Sequence, residues 1–436
     1  MRLGRQLFCG DGAGADRNAF APWQGAVQRG VFDADEAPWR GAGAMIYLDN
    51  AATTVHKPPS VLRAQRQAIR CAGNAGRGGH TLSLAAAQTL YRCRCAAAEF
   101  FGMDLPERVV LTMNATHALN LVLFGILQRG DRVLYSDLAH NSVRRPIAAL
   151  RERGVKSEMY SVLEKGALLP QAEIMRRLEK LLETPTRMIA LTHVSNLCAA
   201  REPLEKIAAL SKKRGVLLLA DASQSAGILP LSMKIGIDYL CCAGHKGLYG
   251  PQGSGLLLIG EGAPLPRPLL CGGAGVFSEE EAMPQDLPER LEAGTMNVPA
   301  AAGLCAGLRF LSHYEKGEIA QHHTALGQRL QAGLLEIPGA RVFLPQEQNL
   351  GTVLFSLGAQ APEQTAWLLD RSGVYMRAGL HCAPLAHAAL GTLPRGALRA
   401  SVGMDTTKRQ IDKTLCELSK IAKESVEFSA ADEQMQ

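Results

Sequence analysis

The sequence has no apolar run approaching the roughly 18 residues needed to span a bilayer. Its longest, around Leu119 to Leu127, reads as a buried helix. It also lacks an excess of one charge: 47 Lys and Arg stand against 41 Asp and Glu, a formal +6. The basic residues are scattered apart from the short groups Arg144-Arg145 and Lys212-Lys213-Arg214, so neither nucleic acid nor a membrane is an expected partner. A mildly positive balance suits a site that collects anions without demonstrating one. Cysteine is present but not in metal-binding order. Eleven is an odd count, and the close pairs Cys93/Cys95 and Cys241/Cys242 lack zinc spacing. No metal is therefore expected, and ten of the eleven read as buried, reduced thiols of a cytoplasmic protein. Two glycine-rich stretches, Gly73 to Gly79 and Gly250 to Gly255, lack the Lys-Ser/Thr ending of a phosphate-binding loop and do not form a first strand-to-helix turn. Tight turns explain them sufficiently. No internal repeat is present.

What is there is length, 436 residues, enough for one large domain, a smaller one and a sizeable core. Residues 1–44 are rich in Gly, Ala and Arg, without periodicity or a continuous apolar segment of the signal-peptide kind, and are expected to be a disordered extension. Met45, directly before the strand-like Ile46-Tyr47-Leu48, is read as a candidate true start. Short apolar runs then alternate with helical stretches: Val109 to Leu111, Ala118 to Leu127, Arg132 to Tyr135, Met188 to Leu191. That alternation predicts an α/β fold with a doubly wound parallel sheet and helices on both faces. Within it, Pro203 opens a helix, Gly215 stops it, and Val216 to Ala220 follow as a buried strand ending at Asp221. In open α/β sheets ligands gather at the carboxyl ends of strands. After about residue 305 the pattern turns to longer helices and a few strands, closing with an amphipathic helix around Ile411, Leu415, Leu418 and Ile421. The expected division is a large domain over 45–304, its first residues packing on the small domain, and a small C-terminal domain over 305–436 with a frayed tail.

Asp221 and Lys246 fall at two consecutive strand ends, in Asp221-Ala222-Ser223-Gln224 and Gly244-His245-Lys246-Gly247. A carboxylate ending an apolar strand is costly to bury unless a cation meets it, and a protonated pyridine nitrogen is such a cation. A nearby lysine can form an imine with an aldehyde cofactor and exchange it with an incoming amino acid. The bland alternative is a helix-capping Asp and a solvated Lys, and for either residue alone it competes evenly. Asn114-Ala115-Thr116-His117 lies between a strand and a helix, where backbone amides and the Thr116 hydroxyl could bind a phosphate; taken alone it is a plain N-cap. His140 follows another strand and could stack on an aromatic ring, although a lone His is more often merely packed. Near the C-terminus, Arg377 to Pro384 puts Cys382 in a loop-like context, and Arg399 lies in a strand-like run. These offer a thiol and a planar fork for a carboxylate.

With Tyr47 to Thr54, Arg77-Gly78-Gly79-His80, His193-Val194-Ser195-Asn196, Glu292 to Asn297 and Gly379-Leu380-His381-Cys382, these motifs resemble one family in order. From about Met45 to Asp412 the chain resembles the class V aminotransferases among fold type I pyridoxal-phosphate enzymes, in their cysteine desulfurase and selenocysteine lyase branch. The resemblance implies a mixed, mostly parallel sheet flanked by helices, plus a smaller C-terminal α+β domain. It implies pyridoxal 5'-phosphate held by Lys246 as a Schiff base, Asp221 at the ring nitrogen, His140 stacked on the ring, and Asn196 and Gln224 beside it. Ala115, Thr116 and His245 would hold the phosphate. Thr295 would reach the phosphate of a neighbouring subunit, which implies a homodimer. Arg399 would clamp the substrate carboxylate, with Asn196, Asn50 and Ala51 on the substrate side, and Cys382 would take the sulfur of L-cysteine as a persulfide before passing it to an acceptor protein. Two departures stand out: Ala243 replaces a common Ser or Thr, and Leu380 replaces a second His. Cys198, in Leu197 to Arg201, adds a second thiol near the site. Three functions are weighed: a desulfurase using Cys382, another class V aminotransferase or lyase in which Cys382 is passive, and a degenerate member serving as a binding partner.

Overall fold

The computed structural model describes residues 45–76, 78–345 and 349–434, with only the backbone of 425–434. The expectation for residues 1–44 and the Arg77 position of the quoted motif lie outside the described residues. The main sheet contains Val109–Thr112 (β1), Arg132–Ser136 (β2), Lys156–Tyr160 (β3), Met188–Thr192 (β4), Leu217–Asp221 (β5), Tyr239–Ala243 (β6) and Gly255–Ile259 (β7). Its order is β1-β7-β6-β5-β4-β2-β3, and only β7 runs antiparallel to its neighbours. Helices cover both faces, so the strands bury both sets of side chains. Leu218 and Ala220 join one core with Leu240 and Cys242, while Leu219 joins the other with Tyr239 and Cys241. This two-sided burial is why these strands read as continuous apolar runs rather than alternating ones.

The unit read most directly from sequence forms as expected. The helix Leu204–Arg214 carries Glu205 in its first turn and Lys212, Lys213 and Arg214 in its last, each matching the helix dipole. Gly215 ends it at φ 64°, a left-handed conformation that a side chain would strain. The chain then enters β5, whose last residue, Asp221, pairs with Thr192 on one side and Cys241 on the other. The carboxyl ends of β4, β5 and β6 thereby meet along one edge.

A second, antiparallel sheet is built from Ala340–Phe343 (β8), Thr352–Leu357 (β9), Arg377–Gly379 (β10) and Ala397–Ser401 (β11), in the order β8-β9-β11-β10. The segment leading into the large sheet also belongs here: Ile46–Tyr47 pairs in parallel with Val374–Tyr375, and Asp49 bridges to Ser401. The residues that follow Asp49 are thus anchored beside β11, which carries Arg399.

The cysteines depart from expectation. Among the described residues Cys93, Cys198, Cys241, Cys242 and Cys305 are buried, but Cys71, Cys271, Cys382 and Cys416 are exposed and Cys95 is half-buried. Cys71 illustrates the reason. It ends an amphipathic helix, Pro59–Cys71, in which only Val61 is buried, so helical periodicity places the thiol on the solvent side. Among the described residues no helix is long and apolar enough to cross a membrane.

Candidate active site

Lys246 follows β6 on the loop His245-Lys246-Gly247 and is half-buried, without a hydrogen-bonded anion among the described residues. Burial pulls its ammonium down to about 8, with Asp221 opposing that shift and Arg399 and Arg377 reinforcing it. Asp221, at the end of β5, accepts from the Ser223 amide at 2.9 Å and from the Ser223 hydroxyl at 2.5 Å. His140 caps the helix Asn141–Glu152 through its Nδ1, which accepts from the Ser142 amide at 3.0 Å. Burial lowers its imidazole to about 4, against the attraction of Asp221 and with help from Lys246 and Arg399. The structure therefore brings Lys246, Asp221, His140 and Arg399 within electrostatic reach of one another. It leaves His140 neutral at ordinary pH and Lys246 a weaker base than usual.

Arg399 is almost fully enclosed. Its guanidinium donates to the Asn196 carbonyl at 3.0 Å and to Asp49 Oδ1 at 2.6 Å, while its Nε has no partner. The Asn196 amide donates to the His381 carbonyl at 2.7 Å, and its Oδ1 is buried and unpartnered. The next residue, Cys382, is exposed, and its carbonyl accepts from the Asn141 amide at 2.8 Å. His381 and Cys382 have φ of 49° and 57°, two consecutive side-chain-bearing residues in the left-handed region. These two hydrogen bonds hold that unfavourable turn, so the Cys382 loop is tied to the residue after His140 and to Asn196.

Gln224 donates to the Ala51 carbonyl at 2.9 Å, and the Ala51 amide is held by the Ser401 hydroxyl at 2.8 Å. Asn50 spends its amide on the Tyr47 and Ser401 carbonyls, both at 3.2 Å. Lys246 lines a tight space of about 20 Å³ with Asn50, Ala51 and Gln224. Beside it opens a cavity of about 760 Å³ lined by Thr53, Asn114, His117, His245, Thr295 and Arg377. Ala115 begins the helix Ala115–Ile126 as a buried residue, and Asn114 caps it by accepting from the His117 amide at 2.9 Å. Thr116, one residue further, is exposed, as is Thr295. Cys198 is buried, with its thiol pushed up by that burial and held 3.6 Å from the Ser195 hydroxyl.

Three residues escaped the sequence reading. Asp49 bridges buried Arg399 and, at 3.0 Å, the more exposed Arg377. Lys57 donates to the His245 carbonyl at 2.9 Å. Glu202, wholly buried, accepts from the Ser136 hydroxyl at 2.6 Å, the Tyr160 hydroxyl at 2.5 Å and the Thr192 amide at 3.1 Å, and so ties the loop bearing Asn196 to three strand ends. Asp49 lay within the quoted Tyr47 to Thr54 stretch, where a carboxylate after an apolar strand was the available signal. Glu202 gave none beyond its place before Pro203.

The aminotransferase class-V family model matches residues 46–414. The chain belongs to that family. This class-V protein is 31% identical over 375 residues to a probable cysteine desulfurase of Methanothermobacter thermautotrophicus, covering 84% of this chain and 92% of the relative. It is 30% identical to a cysteine desulfurase of Pectobacterium atrosepticum, covering 86% of this chain and 93% of the relative. Among solved structures, the apo cysteine desulfurase of Thermococcus onnurineus NA1 superposes with a TM-score of 0.79 at 29% identity, over 87% of this chain and 95% of that one. Escherichia coli CsdA, a cysteine desulfurase solved in an S-sulfonic acid form, gives 0.76 at 26% identity, over 92% and 98%.

The donor set of this class-V protein fits a phosphorylated pyridine aldehyde. A half-buried amine lies within electrostatic reach of a carboxylate and a neutral imidazole, and two buried polar atoms, Arg399 Nε and Asn196 Oδ1, lack partners. The adjoining cavity of about 760 Å³, lined by Asn114, His117 and His245, has room for the phosphate end of such a group, while the space lined by Lys246 itself is about 20 Å³.

Proposed function

We propose that this protein is a pyridoxal-phosphate-dependent cysteine desulfurase, which takes sulfur from L-cysteine, releases L-alanine and carries the sulfur as a persulfide on Cys382. One arrangement carries the reading: a half-buried lysine within electrostatic reach of Asp221 and His140, with an exposed thiol on a loop pinned beside His140. The names of the similar proteins agree with it.

When bound, the cofactor supplies an electron sink for the charge released at the substrate α-carbon. Lys246 would hold it covalently. Its lowered basicity leaves a useful fraction as free amine near neutral pH, able to take the α-proton and return it later. Asp221 would stabilise a protonated ring nitrogen by charge. His140, kept neutral by burial, offers a flat face without adding a second cation. Arg399, whose Nε is unpartnered, orients the substrate carboxylate. Cys382 as thiolate attacks the substrate sulfur: a sulfur–sulfur bond forms, the carbon–sulfur bond breaks with its electron pair left on carbon, and that carbon is then protonated to give alanine. His245 and Thr116 would grip the phosphate. Thr295, exposed in the single chain, would complete the site of a second copy in a homodimer. We place the enzyme in the cytoplasm, passing its sulfur to an acceptor thiol.

The test is Cys382→Ala in the cofactor-loaded protein. The visible cofactor band should persist while persulfide formation from L-cysteine disappears. Undiminished sulfide release by the variant would instead assign an ordinary lyase reaction in which Cys382 is passive.

A further inference from the structure

The carbonyl of His245, one residue before Lys246, is unusually crowded with donors. The Thr54 amide lies 3.1 Å from it, the Lys57 ammonium 2.9 Å, the Thr54 hydroxyl 3.1 Å and the Thr53 hydroxyl 3.2 Å. A carbonyl oxygen has two lone pairs, so not all four can be served fully. The amide has no other use for its proton here, and the ammonium is charged and closest, so these two fill the carbonyl. The Thr54 hydroxyl has a second acceptor in the Lys246 carbonyl at 3.4 Å. The single proton of the Thr53 hydroxyl likewise has a second acceptor, His245 Nδ1, at 3.0 Å.

We propose that Lys57 is a positioning residue that sets the tautomer of His245: by occupying the His245 carbonyl it directs the Thr53 hydroxyl proton to Nδ1 and leaves the ring proton on Nε2. A neutral imidazole that accepts at one nitrogen must donate at the other. Nε2 has no partner among the described residues, and His245 lines the cavity of about 760 Å³. The ring is neutral because burial, Lys246 and Lys57 together hold it down to about 4. Lys57 is itself half-buried and has no carboxylate partner among the described residues, so its charge is not cancelled where it meets the carbonyl. The result is an N–H donor available to an anion bound in that cavity, in a site where Ala243 offers no hydroxyl. Without the ammonium, the carbonyl competes for the Thr53 proton, and the opposite tautomer would turn a lone pair toward the phosphate.

This inference rests on the proposed cofactor chemistry for its consequence, but its tautomer part can be read without cofactor. Carbon-13 NMR of histidine Cδ2, with His245 assigned from the missing signal of His245→Gln, distinguishes the two tautomers. Wild type should show the Nε2–H form with and without pyridoxal phosphate. Lys57→Met should shift His245 toward Nδ1–H and raise the half-saturating cofactor concentration about tenfold, the scale of one charge-assisted hydrogen bond. Lys57→Arg should restore both. An Nε2–H signal and wild-type cofactor affinity in Lys57→Met would overturn the proposal. If that variant does not fold, Thr53→Val removes the hydroxyl proton while keeping Lys57, and an unchanged tautomer there overturns it equally. A wild-type protein that never develops a visible cofactor band would sink the proposed function and leave the tautomer measurement standing.

Discussion

Two buried arginine–carboxylate pairs in this protein look alike in a contact map and differ in how completely they are satisfied. Arg94 meets Glu292 through two parallel bonds of 2.6 and 2.5 Å, also donates to the Val109 carbonyl at 2.6 Å, and Glu292 accepts the Leu111 amide at 2.6 Å. Both side chains are under a tenth exposed. Arg399 meets Asp49 through one bond, keeps an unpartnered Nε, and shares its acid with the half-exposed Arg377. The saturated pair has little left to offer a ligand and locks the Glu292 to Asn297 loop against β1. The unsaturated pair stores hydrogen-bonding capacity in an enclosed place, which costs stability unless a ligand uses it. Completeness of pairing, more than burial, separates a structural ion pair from a binding one here.

The comparison can be broken most directly at its structural member. Glu292→Gln strands a buried guanidinium and should lower the unfolding free energy by about 3–5 kcal/mol in urea titrations, with an unchanged KM in the protein that folds. A loss under about 1 kcal/mol would remove the structural assignment.

Glu202 sharpens the contrast, because it is buried with hydroxyls and an amide instead of a cation. Burial lifts its carboxyl from 4.5 to about 7. The folded protein thus keeps a proton that the unfolded chain has released, so the contribution of this group is fullest below about pH 4.5. It declines as pH rises to about 7, by about 3 kcal/mol. Glu202→Gln cannot lose that proton, so the difference in stability between variant and wild type should move in favour of the variant from pH 4.5 to 7 and stay level above. A difference independent of pH would show that Glu202 is already ionised in the folded state.

At the binding member, Arg399→Lys keeps the charge and loses the fork. It should reduce kcat/KM for L-cysteine by about 10- to 100-fold with little change in Tm. A large fall in Tm with normal kinetics would make Arg399 the structural pair after all. At the small end is Arg329–Asp412, an exposed bidentate pair at 2.6 and 2.9 Å. Solvent screens it, and Arg329→Ala should leave Tm unchanged within error by calorimetry.

Sequence reading reached the elements whose physics is local. The helix from Leu204, its Gly215 stop and the strand ending at Asp221 follow from propensity, capping and apolar run length. The lysine loop after Cys242 and the Cys382 loop were legible as motifs. What was not legible lies across large separations. Asp49 and Arg399 are 350 positions apart, and Lys57 reaches the His245 carbonyl across 188. Cysteine exposure was misjudged because a thiol's place on a helix depends on which face the helix buries, as Cys71 shows.

By itself, then, the order of residues determined the alternating architecture and the chemical repertoire: an amine, a carboxylate, an imidazole, a thiol and a guanidinium at strand ends and loops. Only the tertiary structure decided which of these meet and which remain unsatisfied. The physical reason is that burial and hydrogen-bond saturation are properties of the closed chain: Asp49 finds Arg399 only because Ile46–Tyr47 is stitched to Val374–Tyr375.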